Sequence, residues 1–219
     1  MRYHGVMVRT GLVLATVLTS AAAVAAFDQG LDPQSLADAI QIGGSRIDDT
    51  RARFHAPYHV EVMQPPVDFV EVVTPFRRIV IDAESRGRAG ERLYGQREAI
   101  ATLGDNPSRV DLLADLTFHP LNNYLGVPEY TVTLLTPAGM TIRPMTIARM
   151  PRFGPRISGT LPYPYVAGGS APNGQAPSGG LVVAVFDGRA LDPRGTYVMS
   201  IGESGKEVAK APVDFGRLR

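Results

Sequence analysis

The chain has 219 residues, no cysteine, and 22 basic against 21 acidic side chains. Because these charges nearly balance, neither nucleic acid nor an anionic membrane surface is indicated as a partner. The absence of cysteine excludes disulfide bonds, thiol catalysis and lipid attachment to a cysteine. Stability must therefore come from the hydrophobic core, and the chain is long enough to form a sizeable one.

The first 26 residues have the pattern of a secretory signal peptide. Arg2 and Arg9 supply positive charge, an uncharged and mostly apolar stretch covers residues 11–26, and Val-Ala-Ala precedes Phe27. This stretch is shorter than the ~20 residues that a membrane-spanning helix needs. We therefore expect cleavage before Phe27 and a mature chain that is periplasmic or secreted, without a membrane span. An uncleaved membrane anchor is the alternative.

Residues 27–108 are predicted to be mainly helical. Asp32 followed by Pro33 is a favourable helix start, since aspartate caps the first turn and proline fits inside it. Gly43-Gly44 predicts the end of this helix. A further short helix is predicted over residues 96–103, where Gly104 ends it.

One segment of this region, residues 53–64, is predicted to be extended. Pro57 disfavours a helix through His55 and His59, because it lacks a backbone donor and clashes with the preceding turn. In an extended chain His59 and Glu61 lie on the same face.

The stretch 67–86 is ambiguous between helix and strand. Its apolar residues recur every three or four positions, which favours a helix. Pro75 then lies either at a kink or in the first turn after a Thr74 cap. The many β-branched residues leave a strand as the alternative.

Residues 109–219 are predicted to form an antiparallel β-sandwich, because short segments with alternating apolar residues are separated by turn signals. Leu181–Asp187 is almost continuously apolar, as expected of a strand that is covered on both faces. The predicted strand segments are 110–119, 130–135, 140–150, 181–187, 196–202 and 207–218.

The stretch LDPRGTYVMSI resembles the tyrosine corner of immunoglobulin-like and fibronectin-type sandwich domains. Pro193 and Gly195 form the turn, and Tyr197 opens a late strand. The paired cysteines of antibody domains are missing, so the resemblance implies an immunoglobulin-like fold and no particular function.

Two loops of the sandwich are candidates for ligand recognition. Residues 163–180 are rich in Gly, Pro and Ser, which predicts a flexible loop, either a binding loop or, as the favoured alternative, a tolerated insertion without a binding role. The loop from His119 to Tyr130 carries four polar or aromatic candidates for ligand contact, namely Asn122, Asn123, Tyr124 and Glu129. These groups suit ligand recognition, and they equally suit a structured crossover that satisfies its own backbone.

A metal site is the sharpest chemical hypothesis that the residues allow. Zinc accepts histidine and carboxylate ligands, and His59, His119 and Glu61 are the candidates. His55 cannot share an ion with His59 on one strand, since four residues span about 13 Å. A solvated sheet face explains the same residues without a metal.

The residues contain no nucleophile motif and no nucleotide-binding glycine pattern. We therefore expect an α+β protein in which N-terminal helices dock on a C-terminal, immunoglobulin-like β-sandwich. The expected function is that of an exported, non-enzymatic binding or structural module of the cell envelope, without a cofactor. Its partner would be an envelope protein or surface component. A metal-assisted hydrolase using the His/Glu site is the alternative.

Overall fold

The computed structural model describes residues 26–91, 93–155 and 174–219. Within these residues the chain forms four α-helices and nine β-strands, which confirms a mixed α+β fold. The helices are α1 (Pro33–Gly43), α2 (Asp48–His55), α3 (Pro75–Arg88) and α4 (Gln96–Leu103). The strands are β1 (His59–Gln64), β2 (Val67–Val73), β3 (Arg109–Thr117), β4 (Tyr130–Leu135), β5 (Thr141–Ile142), β6 (Thr146–Arg152), β7 (Gly179–Asp187), β8 (Thr196–Glu203) and β9 (Lys206–Asp214). None of the helices in this described part is long and apolar enough to cross a membrane.

The strands form two antiparallel sheets, as a β-sandwich requires. One sheet has the order β1-β2-β3-β7-β6, and the other has the order β5-β4-β8-β9. The five-stranded sheet combines β1 and β2 with three later strands. It therefore includes residues from both sides of position 108.

The main hydrophobic core is built from alternating residues of both sheets. On β3, Val110, Leu112, Ala114 and Leu116 all belong to it. Because one cluster contains residues of both sheets, their inner faces pack against each other. The other sheet contributions are Val67, Val70, Val72, Tyr130, Val132, Leu134, Val182, Ala184, Phe186, Tyr197, Met199, Ile201, Ala209, Ala211 and Val213.

β3 and β7 are buried on both faces. Leu113 of β3 and Val183 of β7 belong to a second cluster, together with Val73, Met150 and Ile81 of helix α3. Ile81 thus helps to cover the outer face of the five-stranded sheet. This burial confirms the expectation from the apolar run over 181–187.

Helices α1, α3 and α4 share a third apolar cluster, made of Leu36, Ala39, Phe76, Ile79, Val80 and Ala99. The contact between α1 and α3 depends on Gly43, because a Cβ there would lie 2.5 Å from the Val80 carbonyl oxygen. The predicted start of α1 is confirmed: the Asp32 carboxylate accepts a hydrogen bond from the Ser35 amide at 2.7 Å.

The favoured helix over residues 67–86 is wrong in its first part and right from Pro75 onward. Residues 67–73 form strand β2, which pairs with β1 on one side and β3 on the other. The helix begins only at Pro75, and the Thr74 hydroxyl accepts from the Arg77 amide at 3.2 Å. Pairing on both edges and burial of β-branched side chains outweigh the helical spacing here.

The extended prediction for residues 53–58 is also wrong. Helix α2 runs to His55, and Ala56–Tyr58 form a short 3-10 turn before the strand begins at His59. Pro57 lies in the first turn of that 3-10 segment, where its missing N–H costs little. The extended prediction for His59–Gln64 is confirmed.

Candidate functional site

The loop that carries the predicted ligand candidates lies at one end of the two sheets. Thr117, the last residue of β3, pairs with Gly179, the first of β7, and β6 ends opposite the same residue. In the other sheet Tyr130 of β4 pairs with Glu203 of β8. Residues 118–129 therefore lie beside the end of β6, the start of β7 and the β8–β9 turn, and we call this region the loop end.

Asn122 holds the 118–129 loop in shape. Its side-chain nitrogen donates to the carbonyl of His119 at 2.9 Å and to that of Pro177 at 3.1 Å. Its side-chain oxygen accepts from the Tyr124 amide at 3.0 Å. Asn122 thus links two parts of the 118–129 loop and connects this loop to the segment before β7.

Tyr124 anchors the same loop on the core. Its ring meets the Phe118 ring edge-on, with centroids 5.0 Å apart. Tyr124 is partly buried and packs against the main core cluster. Asn122 and Tyr124 therefore make internal contacts, as expected of a structured crossover.

Several other side chains of this loop face solvent, whereas Phe118 and Val127 pack in or against the main core cluster. Asn123 and Glu129 are exposed, as predicted ligand-contacting residues must be. Leu121 and Leu125 are 87% and 96% exposed. Sequence reasoning missed these two leucines, although large apolar residues outside any alternating pattern are the signal that marks them.

The flexible loop predicted at 163–180 falls mostly outside the described residues, which resume at Gly174. Its last two residues are not loop: Gly179 and Gly180 begin β7. Both are tightly enclosed, since a Cβ on Gly179 would lie 2.1 Å from the Leu116 carbonyl oxygen.

His59 of β1 lies between two carboxylates, those of Glu61 on the same strand and of Glu71 on β2. Its Nδ1 is 3.0 Å from Glu71 Oε1, and its Nε2 is 3.2 Å from Glu61 Oε1. Ionised carboxylates only accept hydrogen bonds, so a neutral ring can donate to one of them and a protonated ring to both. Glu71 also pairs with the guanidinium of Arg77.

Arg77 is the hub of this network, and it is only 1% exposed. Besides Glu71, its guanidinium donates to the Val72 carbonyl at 2.7 Å and to His55 Nδ1 at 3.2 Å. The guanidinium also lies 4.8 Å from the centre of the Tyr58 ring. The signal that sequence reasoning missed is an arginine pair at 77–78 within an otherwise apolar stretch.

The contact with Arg77 fixes the tautomer of His55. Since Arg77 Nε–H can only donate, His55 Nδ1 must accept, and the ring proton lies on Nε2. Nε2 then donates to Glu84 Oε1 at 2.8 Å. Both rings are thus held by hydrogen bonds to neighbouring side chains.

The structure brings together two of the three predicted metal ligands. His59 contacts Glu61, whereas His119 lies in the loop after β3, where its Nδ1 accepts from the Leu121 amide at 3.1 Å. In the sheet His59 of β1 is paired with Glu71 of β2, which in turn is paired with Leu113 of β3. Leu113 lies six residues before His119 along the chain. Among the described residues no group of three His, Cys, Asp or Glu side chains is placed to hold a metal ion.

Comparison of the chain with protein-family models, with curated proteins and with solved structures gives no match in any of the three. The geometry of the site must therefore carry the functional argument.

Proposed function

We propose that this protein is an exported, non-catalytic binding module of the cell envelope, and that it recognises a protein or surface component through the loop end. The observation that carries the proposal is the pair of exposed leucines on a loop that is internally fixed. Leu121 and Leu125 are almost fully exposed, while Asn122 and Tyr124 beside them are held by hydrogen bonds and ring contacts. A preordered loop loses little conformational freedom on binding, so its apolar side chains can contribute more fully to affinity.

We further propose that the strands have an immunoglobulin-like arrangement, and the order of the strands in the two sheets supports it. Sandwiches of that type place strands A-B-E-D in one sheet and C-F-G in the other. With β2 as the first strand, the orders β2-β3-β7-β6 and β4-β8-β9 follow the same pattern. Tyr197 adds a tyrosine-corner contact, since its hydroxyl oxygen accepts from the Asp192 amide at 2.7 Å. In such sandwiches the loops at one end form a common surface that suits binding.

The proposed cleavage before Phe27 would keep this residue in the folded unit. Its ring is 1% exposed, and its centroid lies 5.1 Å from that of Phe215 in the main core. The folded unit therefore includes the first residue after the expected cut. Mass measurement of the protein recovered from the envelope tests this: a chain beginning at Phe27 supports export, and retention of residues 1–26 contradicts it.

Site-specific photo-crosslinking in the native envelope tests the binding surface. A photoreactive residue at Leu121 or Leu125 is expected to capture the same partner reproducibly. The matched control is Leu93, which is 92% exposed but lies outside the loop end. Equal capture from Leu93, or no reproducible product from either loop position, contradicts the proposal.

A further inference from the structure

A concave pocket lies among the helices, between the end of α1, the start of α2 and the end of α3. It encloses about 650 Å³. Small-molecule sites commonly enclose roughly 300–1,000 Å³, so this pocket is large enough for an organic ligand. None of its lining residues belongs to the loop end.

Glycines create the pocket. At Gly43 the two helices touch, but α1 ends there while α3 continues to Arg88. Gly87 and Gly90 line the pocket, and a Cβ on either would meet no atom of the described residues within 4 Å. Within that part of the chain the last turn of α3 therefore borders open space on this side, and Ile40 and Tyr94 add apolar wall.

The carboxylates that line the pocket are already paired. The Glu84 carboxylate accepts hydrogen bonds from His55 Nε2 at 2.8 Å and from the Arg88 guanidinium at 2.9 Å. The Arg51 guanidinium lies 3.8 Å from the same carboxylate. Glu91 pairs with Arg86 at 3.1 Å. Their negative charge is therefore largely balanced within the protein.

Arginines supply the unused hydrogen-bonding capacity. Arg46, Arg51 and Arg88 all line the pocket, but Arg51 already donates to the Ser45 carbonyl and to the Asp48 carboxylate. Within the described part of the chain Arg46 is exposed and has no carboxylate within salt-bridge distance, and Arg88 uses one guanidinium nitrogen on Glu84. A guanidinium has five donors in a planar fork that matches carboxylate and phosphate oxygens.

The two helix ends oppose this positive charge only weakly. A helix C-terminus carries partial negative charge on its free carbonyls. Here the Gly44 amide donates to Ile40 at 2.8 Å, and the Ala89 and Gly90 amides donate to the carbonyls of Ser85 and Gly87. Each helix C-terminus carries only about half an elementary charge, whereas each guanidinium carries a full one, so the guanidinium groups decide the sign of the ligand.

We propose that this pocket binds a small organic anion through a carboxylate or phosphate group held by Arg46 and Arg88. The non-polar part of the anion lies against Gly87, Gly90 and Tyr94. The site is independent of the function proposed for the loop end, since the two share no residue.

Titration of the purified protein with inorganic phosphate and with succinate, at constant ionic strength, tests this inference by calorimetry or NMR. At least one anion is expected to bind saturably at one site, and the responding anion identifies the charged group. The double variant Arg46→Gln/Arg88→Gln is expected to weaken binding about tenfold or more, since it removes charge-assisted hydrogen bonds. Gly87→Leu fills the pocket and is expected to weaken binding comparably, while leucine favours the helix.

Matched controls separate the pocket from general effects of charge or bulk. Arg53→Gln removes an exposed arginine of α2 outside the pocket, and Ser85→Leu adds bulk on α3 outside it. Both controls are expected to bind like the wild-type protein, and circular dichroism melts check that every variant is folded. Absence of saturable binding of either anion, or unchanged affinity in both pocket variants, overturns the inference.

Discussion

Replacing Arg77 with methionine is expected to lower the free energy of unfolding by about 3–5 kcal/mol, the cost of breaking a buried ion pair. The side chain is 1% exposed, and Glu71 is 9% exposed. Methionine would remove the arginine partner of Glu71, which would still lie 3.0 Å from the His59 ring. It would also leave the Val72 carbonyl and His55 Nδ1 without their donor. Each buried acceptor without a partner costs about 1–3 kcal/mol, so the separate contributions agree with the range for the pair.

Urea denaturation followed by circular dichroism measures this loss, in a double-mutant cycle of Arg77→Met, Glu71→Gln and both together. The double variant is expected to be more stable than the two single losses predict, with a coupling of about 0.5–3 kcal/mol. The control is Arg53→Met, since Arg53 pairs with Asp49 in solvent and such pairs contribute about 0.2–1 kcal/mol. An Arg77→Met loss no larger than that of the control would refute the reasoning, as would strictly additive losses.

Three further changes test the packing and the electrostatics. Gly43→Leu is expected to cost about 1–3 kcal/mol or more in thermal or urea unfolding, because its Cβ would overlap the backbone of α3. Tyr197→Phe leaves the Asp192 amide without its acceptor and is expected to cost about 1–3 kcal/mol by the same measurement. Hydrogen bonds from Arg189 hold the pKa of the Asp187 carboxyl at about 2, below its ordinary value of 3.8. Its stabilising effect is therefore present above pH 3.8 and is lost as the pH falls toward 2. The difference in melting temperature between the wild-type protein and Asp187→Asn should shrink over that interval, and a constant difference would contradict this assignment.

The strands of the sandwich are predictable from sequence where one signal dominates. On β3 the alternation from Val110 to Leu116 coincides with burial in the main core. The helix prediction from Val67 onward failed because the regular apolar spacing continues across two elements, a strand and a helix. Val70 belongs to a strand, whereas Phe76 and Val80 belong to the helix after the Thr74 cap. Cap and proline together mark a boundary that periodicity alone conceals.

Local contacts of the candidate site are also accessible from sequence, and distant ones are not. The Asn122 side chain forms hydrogen bonds with backbone groups two and three positions away. Asparagine commonly bonds to nearby backbone in loops, so these contacts are predictable from its residue type. His55 meets Glu84 across 29 positions, and this contact exists only once α2 and α3 are packed. Single-sequence patterns carry no information on such pairs.

Co-purification from the native envelope tests the central claim of a binding surface at the loop end most directly. The wild-type protein is compared with Leu121→Ser/Leu125→Ser and with Leu93→Ser, all at equal abundance and with equal melting temperatures. We predict that one partner is recovered with the wild-type protein and with Leu93→Ser, and is lost with the double variant. Undiminished recovery with Leu121→Ser/Leu125→Ser would contradict the account.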